Sequence, residues 1–540
     1  MKYGVLKQRN PEYMAEAWSE LDALYKGGYA VTGKAAGDLL PKLVGENSAR
    51  YEDRKKSAGY LGYLAQIIDR FVSGLFMGDL VVTEPGDATD PNTPGGTSDS
   101  AFYGAFAHDA DLAGTPFVSV VRSVVRNALL KKRGIVAIDF PKPLDKATIA
   151  TRADEDASGA SRAYLFEVPC EQLLDWERDK FGNFRWAVLY RCRQERDTPA
   201  AVRGAAKVHE FKVWTLEGGV AVWRLFAFTE TTDNKLLDET DFPVVDQGAT
   251  GFEVIPLMML ELADGLWMGN KIGCIQREHH ARRSALIAAM NKSLVAIPVA
   301  KLGPEIGAMG GPMPSEAATD PSRGNDPLGK FDRQGYVVIG AGDDIAFVEP
   351  AGSAYALCAQ NLAELKDEMF RVVHQMAASL STSPSAAGAS GDSKREDREA
   401  EAVVLTYLGQ KVREYAKKVY DVIARARAES VVWVVHGLDQ FQSDDRATLL
   451  AEAVQMNTIA IPSATFTKEY KTQVALKLLT NAPPETQDVI RAEIADGVKA
   501  DADMADVRRS AEKRDLLSPP APGVSSAAPK KPFGGASAAT

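Results

Sequence analysis

Hydrophobic residues recur at steps of three and four along several stretches of the chain, which is the spacing of one face of an amphipathic helix. The longest such pattern runs over residues 394–428, with apolar positions at Val404, Leu408, Val412, Tyr415, Val419 and Ile423. The same spacing predicts helices over 11–27, 48–77, 115–132, 260–294 and 353–379. Three shorter helices are predicted over 443–458, 463–480 and 484–498, with Ser443 and Ser463 as N-caps.

Other stretches show the pattern of β-strands, which is alternation of apolar and polar residues or a short apolar run between turns. They predict strands over 80–83, 134–140, 163–168, 184–193, 206–215 and 219–229, the last two joined by a turn at Glu217-Gly218-Gly219. Further short strands are predicted at 295–301, 335–340 and 344–348. The chain is therefore predicted to be an α+β protein, with a mixed body in its first 260 residues and long helices after it.

The segments between these elements have the composition of loops. Residues 84–100 and 141–162 are polar, and 303–329 is rich in Gly and Pro. The stretch Ser381–Ser393 consists of Ser, Ala, Gly, Thr, Pro and one Asp, which cannot bury a core, so we expect a flexible loop there. A tail rich in Pro, Ala and Ser is expected to be disordered.

Composition narrows the range of functions. The chain has 540 residues with 45% hydrophobic content, which is enough for about three or four domains with ordinary cores. Its formal net charge of -10 argues against a dedicated nucleic-acid binder, because duplex DNA favours a basic surface, but it suits a protein past which DNA slides. The four cysteines have no paired spacing, so we expect neither a disulfide framework nor a zinc site. Without a signal peptide or a membrane span, the chain is expected to assemble in the cytoplasm with no membrane partner.

Two stretches approach chemical motifs without completing them. Gly28–Ala35 is close to a phosphate-binding P-loop, but Ala35 stands where Mg²⁺ needs a hydroxyl and a helix precedes it, which favours a glycine-rich turn. His279 and His280 point about 100° apart on a helix and cannot easily share a metal ion, so they are interpreted as part of a basic stripe that is solvated or faces the ring. No catalytic set, cofactor or metal site is predicted, and we expect that the chain is not an enzyme.

Short motifs follow one another along the chain in a recognisable order. The first group is Trp18, Tyr29–Gly33, Leu39-Leu40-Pro41 and Tyr51-Glu52-Asp53-Arg54, with Leu39 where the related pattern has Tyr. The later groups are Val168-Pro169, Leu174-Asp175-Trp176, Gly182, and Ser390-Gly391-Asp392-Ser393-Lys394. Together with the order of the predicted elements between residues 11 and 500, these motifs resemble the portal subunits of tailed bacteriophages.

The resemblance implies a mainly helical portal fold in which two stem helices flank a small clip. The implied parts are an α+β wing (1–260), a first stem helix (261–294), a β-containing clip (295–350), a second stem helix (351–379), a tunnel loop (380–394), a long wing helix (395–440), a helical crown (441–515) and a disordered tail (516–540).

The first candidate for contact with DNA is the tunnel loop together with the first residues of the helix that follows it. The positions concerned are Ser381, Ser383, Ser385, Gly388, Ser390, Gly391, Ser393, Lys394, Arg395 and Arg398. Small residues from all subunits would surround the duplex while a few cations touch phosphates without reading bases; the alternative is a plain surface linker. The second candidate is a basic stripe of Arg277, Arg282 and Arg283, for which packing between subunits is an equally good explanation.

In functional terms, the resemblance implies a homo-oligomeric ring, a dodecamer, at the portal vertex of a virion assembled in the host cytoplasm. Double-stranded DNA would pass through it non-specifically during packaging and ejection. The ring would dock terminase and head–tail adaptors, with capsid and scaffold proteins around it. Two alternatives stay open at this point: another ring-forming connector or tail protein, and a cytosolic enzyme with an unrecognised site.

Overall fold

A computed structural model describes residues 1–32, 37, 39–83, 100–140, 162–194, 206–293, 297–301, 344–348, 353–380, 393–429, 431–438, 441, 454–455, 463–478, 489–500 and 504. Side chains are described within these ranges except at 100–101, 292–293, 297–301, 344–348, 353, 373–375, 377–380, 393–400, 464 and 477–478. The chain divides into two compact units, Met1–Gln442 and Ser443–Thr540.

Helices surround the core of the first unit. In chain order they are α1 (Tyr3–Leu6), α2 (Ala15–Lys26), α3 (Ser48–Lys56), α4 (Tyr63–Leu75), α5 (Ser100–His108), α6 (Phe117–Lys131), α7 (Met268–Ser293), α8 (Ser353–Leu380) and α9 (Ser393–Ala426). Where apolar residues recur at helical spacing, the helix turns them toward the core. In α4 the buried residues are Leu64, Ile67, Ile68, Phe71, Val72 and Leu75.

The strands of the first unit form two sheets and two isolated pairs, all antiparallel. The strands are β1 (Val81–Thr83), β2 (Arg133–Asp139), β3 (Tyr164–Glu167), β4 (Leu173–Arg178), β5 (Phe184–Gln194), β6 (Lys207–Glu217), β7 (Val220–Glu230), β8 (Val244–Ala249), β9 (Leu257–Glu261), β10 (Ile297–Lys301), β11 (Asp344–Val348) and β12 (Val434–His436). The sheet orders are β3-β2-β9 and β4-β5-β6-β7-β8, and the pairs are β1-β12 and β10-β11.

The three-stranded sheet lies at the centre of the core. Its middle strand β2 is buried from Arg133 to Ile138, because α6 packs on it and α9 packs on its neighbour β9. The guanidinium group of Arg133 is tolerated there because it donates to Glu261 at 2.8 Å and lies 4.8 Å from the ring of Trp176. The last strand of this sheet, β9, leads into the long helix α7.

The five-stranded sheet is a meander whose longest hairpin joins β6 to β7. Its turn residues Gly218 and Gly219 have φ values of 61° and 85°, the left-handed conformation that favours glycine in tight hairpins. The register pairs Glu217 with Val220, so the turn lies where the sequence predicts it.

Two long helices leave this body and return to it. The helix α7 has 26 residues and leads into β10, while β11 leads into α8, which has 28 residues. Strands β10 and β11 pair from Ile297–Val348 to Lys301–Asp344, and α7 packs against α8, so the two helices run antiparallel. They are followed by α9, the longest helix at 34 residues, which packs on α8 and on β9.

In the second unit the described residues include the helix α10 (Ala464–Leu478) and helical residues at 489–500. The Ser463 hydroxyl accepts a hydrogen bond from the Phe466 amide at 3.2 Å, which confirms Ser463 as an N-cap. Of the helix predicted over 443–458, only residues 454–455 are described, and both are helical.

Several predicted boundaries were wrong. The helix predicted over 48–77 is two helices, α3 and α4, separated at 57–62. The helix predicted over 260–294, assigned from 261 to the first stem helix, begins at Met268, because Leu257–Glu261 pairs with β2 as strand β9. Strands β4, β8 and β12 were also missed. The predicted strand 335–340 lies outside the described residues.

Candidate functional site

The candidate DNA-contacting loop is bracketed by two helix ends. Its predicted positions Ser381, Ser383, Ser385, Gly388, Ser390 and Gly391 lie outside the described residues. Before them α8 ends at Leu380, and after them α9 begins at Ser393, one residue earlier than predicted. Ser393, Lys394, Arg395 and Arg398 belong to the first turns of α9, with backbone described and side chains not. Their contact with DNA stays a prediction.

The base of α7 is buried in the body along one face. The residues of this face are Met268, Ile272, Gln276, His279, His280 and Ser284. Gln276 binds the start of α4. Its side-chain oxygen accepts a hydrogen bond from the Leu64 amide at 3.1 Å, and its side-chain nitrogen donates one to the Leu61 carbonyl at 2.8 Å. The first four turns of α7 are therefore an anchor within the first unit.

The interpretation of His279 and His280 as part of a basic stripe that is solvated or faces the ring was wrong, because the chain itself buries both. Their side chains are 2% and 0% exposed. The two nitrogens of His280 lie 3.0 Å from the Gly59 carbonyl oxygen and 3.1 Å from that of Val31. Helical spacing explains the burial, because both histidines lie three or four residues from Gln276 and share its inward face.

Burial also sets the protonation state of this pair. It lowers the pKa of His279 to about 4, with smaller contributions from the charges of Arg283 and His280. Burial likewise lowers the pKa of His280, although the two carbonyl oxygens act in the opposite direction. The His279 ring meets Tyr63 edge-on at 5.3 Å, and its Nδ1 has no hydrogen-bond partner among the described residues. Both rings are thus neutral near pH 7.

The predicted basic stripe does not form one continuous surface. Arg277 pairs with Glu20 at 3.2 Å, and Arg282 pairs with Glu278 at 2.8 Å on the same helix. Arg283 lies against Gly59, and its buried Nε has no described hydrogen-bond partner. At about 100° per residue, positions 277, 282 and 283 also point in three different directions. Arg277 and Arg282 remain about half exposed, so contact with phosphate stays a prediction for these two.

The motif residues near the start of the chain have structural roles. The Arg54 side chain, 2% exposed, donates to Glu46 at 2.9 Å and to the Pro41 carbonyl at 2.7 Å. The Tyr51 hydroxyl donates to the Gly37 carbonyl at 3.1 Å. Together they tie α3, which packs against α7, to the segment before it.

Of the near-match to a P-loop at 28–35, the structure describes residues 28–32, which begin with a short 3₁₀ helix at Gly28–Ala30. The helix α2, rather than a strand, precedes it, and Gly27 and Gly28 have φ values of 59° and 53°. Residues 33–36 lie outside the described residues. Among the residues that the structure describes, no group of His, Cys, Asp and Glu side chains has the arrangement to hold a metal ion. No described helix is long and apolar enough to span a membrane.

Of the comparisons with known proteins, the one with solved structures gives matches. Neither a protein-family model nor a curated protein matches the sequence. Among solved structures, a chain from the neck of an empty GTA particle, computed with C6 symmetry, matches with 11% sequence identity and a TM-score of 0.38. The match covers 85% of this chain and 98% of that chain. At this TM-score the likeness does not establish a shared fold, and nothing about function follows from it.

Proposed function

We propose that the chain is a subunit of a portal ring in the virion of a tailed phage, a channel through which double-stranded DNA enters and leaves the capsid. The observation that carries the proposal is the layout of α7, α8 and α9. Two long antiparallel helices flank an inserted segment closed by the β10-β11 pair, and the longest helix follows. This layout fits the stem, clip and wing helix that the sequence resemblance implies.

The helix pair has the burial gradient that a stem requires. At 1.5 Å per residue, α7 is about 39 Å long. Its first four turns are buried in the body, whereas no residue of 285–291 is buried. In α8 burial increases along the chain instead. Residues 354–361 contain no buried residue, and Leu362 is the first buried one. The distal halves of both helices therefore have surface left for other chains.

Apolar side chains on these distal halves favour neighbouring copies of the same chain. Leu357 on α8 is 68% exposed and Met290 on α7 is 46% exposed. Such side chains on an extended helix pair are stabilised when another chain covers them. A closed ring provides that cover, since each subunit then presents one side of its helix pair to the next.

The charge distribution suits a channel that guides DNA without holding it. A subunit charge of -10, multiplied around a ring, repels the phosphate backbone and disfavours tight binding. Lys394 and Arg395 lie in the first turn of α9, where the helix dipole disfavours cations, so the dipole does not explain their position. We propose that they and Arg398, with the 381–393 segment, form the ring around the duplex. The 295–350 insert would dock terminase and then head–tail adaptors.

Negative-stain microscopy and native mass spectrometry of the purified chain test the ring. We expect closed rings with a pore of duplex width, and masses that are integral multiples of the subunit. Leu357→Asp should shift the population towards monomers, because a charge replaces the apolar contact between neighbours. Leu237→Asp is the matched control, since Leu237 is also 68% exposed but lies in the loop before β8. A compact monomer at every concentration tested would refute the proposal.

A further inference from the structure

A tight turn before α3 presents two apolar side chains to solvent. The Glu46 amide donates to the Leu43 carbonyl at 3.0 Å, and Gly45 has a φ of 77°, the left-handed conformation that glycine adopts readily. Between them Val44 lies at the outermost point of the turn with its side chain fully exposed, and Leu43 is 47% exposed. We call Leu43 and Val44 the apolar tip.

Buried groups hold this turn in one conformation. The Arg54 guanidinium, 2% exposed, donates to both carboxylate oxygens of Glu46 at 2.9 Å and to the Pro41 carbonyl at 2.7 Å. The same carboxylate accepts from the Leu43 amide at 2.9 Å. A single exposed apolar side chain is common on protein surfaces. One that is held rigidly is different, because a preorganised turn loses little conformational entropy when it binds.

A second apolar surface lies on the β1-β12 pair. The register pairs Val81 with His436 and Val82 with Val435. Val82 and Val435 pack against the core, so the side chains that alternate with them point outward. On this outward side Val81 is 42% exposed and Val432, just before β12, is 63% exposed. We call the outward side the ribbon face; its residues are Val81, Thr83, Val432 and Val434.

The charges beside the two surfaces differ in sign. Residues 42–56, which include the apolar tip, contain five Lys and Arg residues and three Asp and Glu residues. Among them Lys42 and Arg50 are exposed and make no ion pair within 4 Å with a described residue. The segments 77–83 and 431–438, which carry the ribbon face, contain one such charge, the exposed Asp79. The ribbon face therefore suits a partner surface that is apolar with a basic rim.

The two surfaces do not meet within one chain. Val44 is fully exposed, and α4 separates the turn from the ribbon face. This helix begins where Gln276 of α7 binds it, and it extends about 20 Å towards β1. A turn and a strand pair are different surfaces, so a contact between them joins two chains head to tail. Head-to-tail contacts are the kind that closes into a ring.

We propose that the apolar tip of one copy packs on the ribbon face of the next copy. The inference rests on the proposed ring and adds to it a contact between the bodies of neighbouring subunits, apart from the distal halves of α7 and α8. The contact removes apolar surface from water on both sides. It also brings Lys42 and Arg50 of one copy towards Asp79 of the next, which fixes the orientation of the two chains.

Disulfide cross-linking tests this pairing. The variant combines Val44→Cys with Val432→Cys in a chain whose exposed and half-buried cysteines are replaced by serine. Side chains in direct contact are close enough for a disulfide under mild oxidation. Because each copy then has one cysteine on each of two different surfaces, non-reducing denaturing electrophoresis should show a ladder of dimers, trimers and higher multimers.

The matched control combines Val44→Cys with Leu237→Cys and should stay monomeric on the same gel. Leu237 is 68% exposed, close to the 63% of Val432, but it lies in the loop before β8. Dimers from Val44→Cys alone would show contact between two tips and overturn the pairing.

Microscopy of the same preparations separates this inference from the ring itself. Rings without a ladder would overturn the pairing and leave the proposed ring intact. Neither rings nor a ladder would overturn both.

Charge reversal gives a readout that needs no disulfide. Asp79→Lys should weaken the association of copies by about three- to tenfold, because it places like charges opposite Lys42 and Arg50. Adding Lys42→Glu and Arg50→Glu to this variant should restore the association. Sedimentation at several concentrations measures both effects. Wild-type association in Asp79→Lys, or no recovery in the combined variant, would show that the apolar tip and the ribbon face do not lie opposite each other.

Discussion

At the scale of single residues, polar groups buried at the base of α7 decide how this helix is held. A neutral imidazole has one donor, so His280 can donate to only one of the two carbonyl oxygens that its nitrogens face, those of Gly59 and Val31. The His280 imidazole nevertheless connects α7 to the turn at 57–62 and to the segment after α2. Neutral histidines in this position make the body sensitive to acid.

We expect the first unit to lose stability as the pH falls from about 6.5 to about 4. In this window the unfolded chain protonates His279, whose ordinary pKa is 6.5, while the folded chain keeps it neutral with a pKa of about 4. Because the unfolded state then binds more protons, the free energy of unfolding falls with falling pH, by at most about 1.4 kcal/mol per pH unit for one group. Chemical denaturation at several pH values measures this slope.

The variant His279→Phe should reduce the slope in that window, since it keeps an aromatic ring beside Tyr63 and removes the titrating group. The same substitution at the exposed His436 is the control and should leave the slope as it is. Glu46, whose pKa is lowered by the hydrogen bond from Arg54, affects the slope only below its ordinary pKa of 4.5, so the window from 6.5 to 4.5 is free of its contribution. An unchanged slope in His279→Phe would contradict the burial argument.

At the scale of elements, the start of α7 is fixed by a close approach to the end of α6. The Trp267 indole donates to the Leu130 carbonyl at 2.9 Å, and a methyl group on Gly269 would overlap the same carbonyl oxygen. Since that carbonyl belongs to the backbone, it cannot move aside as a flexible side chain would. The direction in which α7 leaves the body therefore depends on a glycine at 269.

We expect Gly269→Ala to lower the free energy of unfolding by about 1–3 kcal/mol, because overpacking outweighs the better helix propensity of alanine. Gly104→Ala in α5 is the control; nothing lies within 4 Å of its new methyl group, so stability should rise by about 0.5–1 kcal/mol. Urea titrations of both variants measure the difference. Equal stability of Gly269→Ala and the wild type would show that α7 can shift at no cost.

Element type was predictable where one pattern ran long enough. The stripes of α6 and α9 and the alternation in β5, β6 and β7 gave helices and strands close to their observed bounds. The apolar run Leu257–Leu260 was not predicted as a strand, and its last residue was assigned to the helix predicted over 260–294, because a short apolar run fits either structure. Only its pairing with β2 decides that it is a strand. The break at 57–62 likewise depends on Gly59 lying against Ile287 and Arg283, far away in sequence.

At the scale of the whole molecule, the proposed channel predicts that the 381–393 segment and the cations after it act on DNA rather than on assembly. Neutralising Lys394, Arg395 and Arg398 with glutamine should leave ring formation intact and reduce DNA packaging and retention in particles. The reason is that phosphate contacts at a constriction guide the duplex but contribute nothing to contacts between subunits. Particle DNA content, measured beside ring yield, separates the two effects.

A matched control neutralises three exposed cations of the body, Lys56, Arg185 and Lys235, and should leave packaging unchanged. Deleting 381–392 tests the loop itself, because the cations stay and only the small residues are lost. Normal packaging and normal retention in both the neutralised and the deleted chains would show that this segment is a plain linker.

The sequence by itself determined the kind and order of most elements, because helical and strand periodicity depend on residues only a few positions apart. It also determined the acidic charge and the positions of the small-residue segment before α9. The tertiary structure alone decided which polar residues are buried. It turned His279 and His280 inward and paired Arg277 with Glu20. These outcomes depend on segments more than a hundred residues apart packing together, which no local pattern encodes.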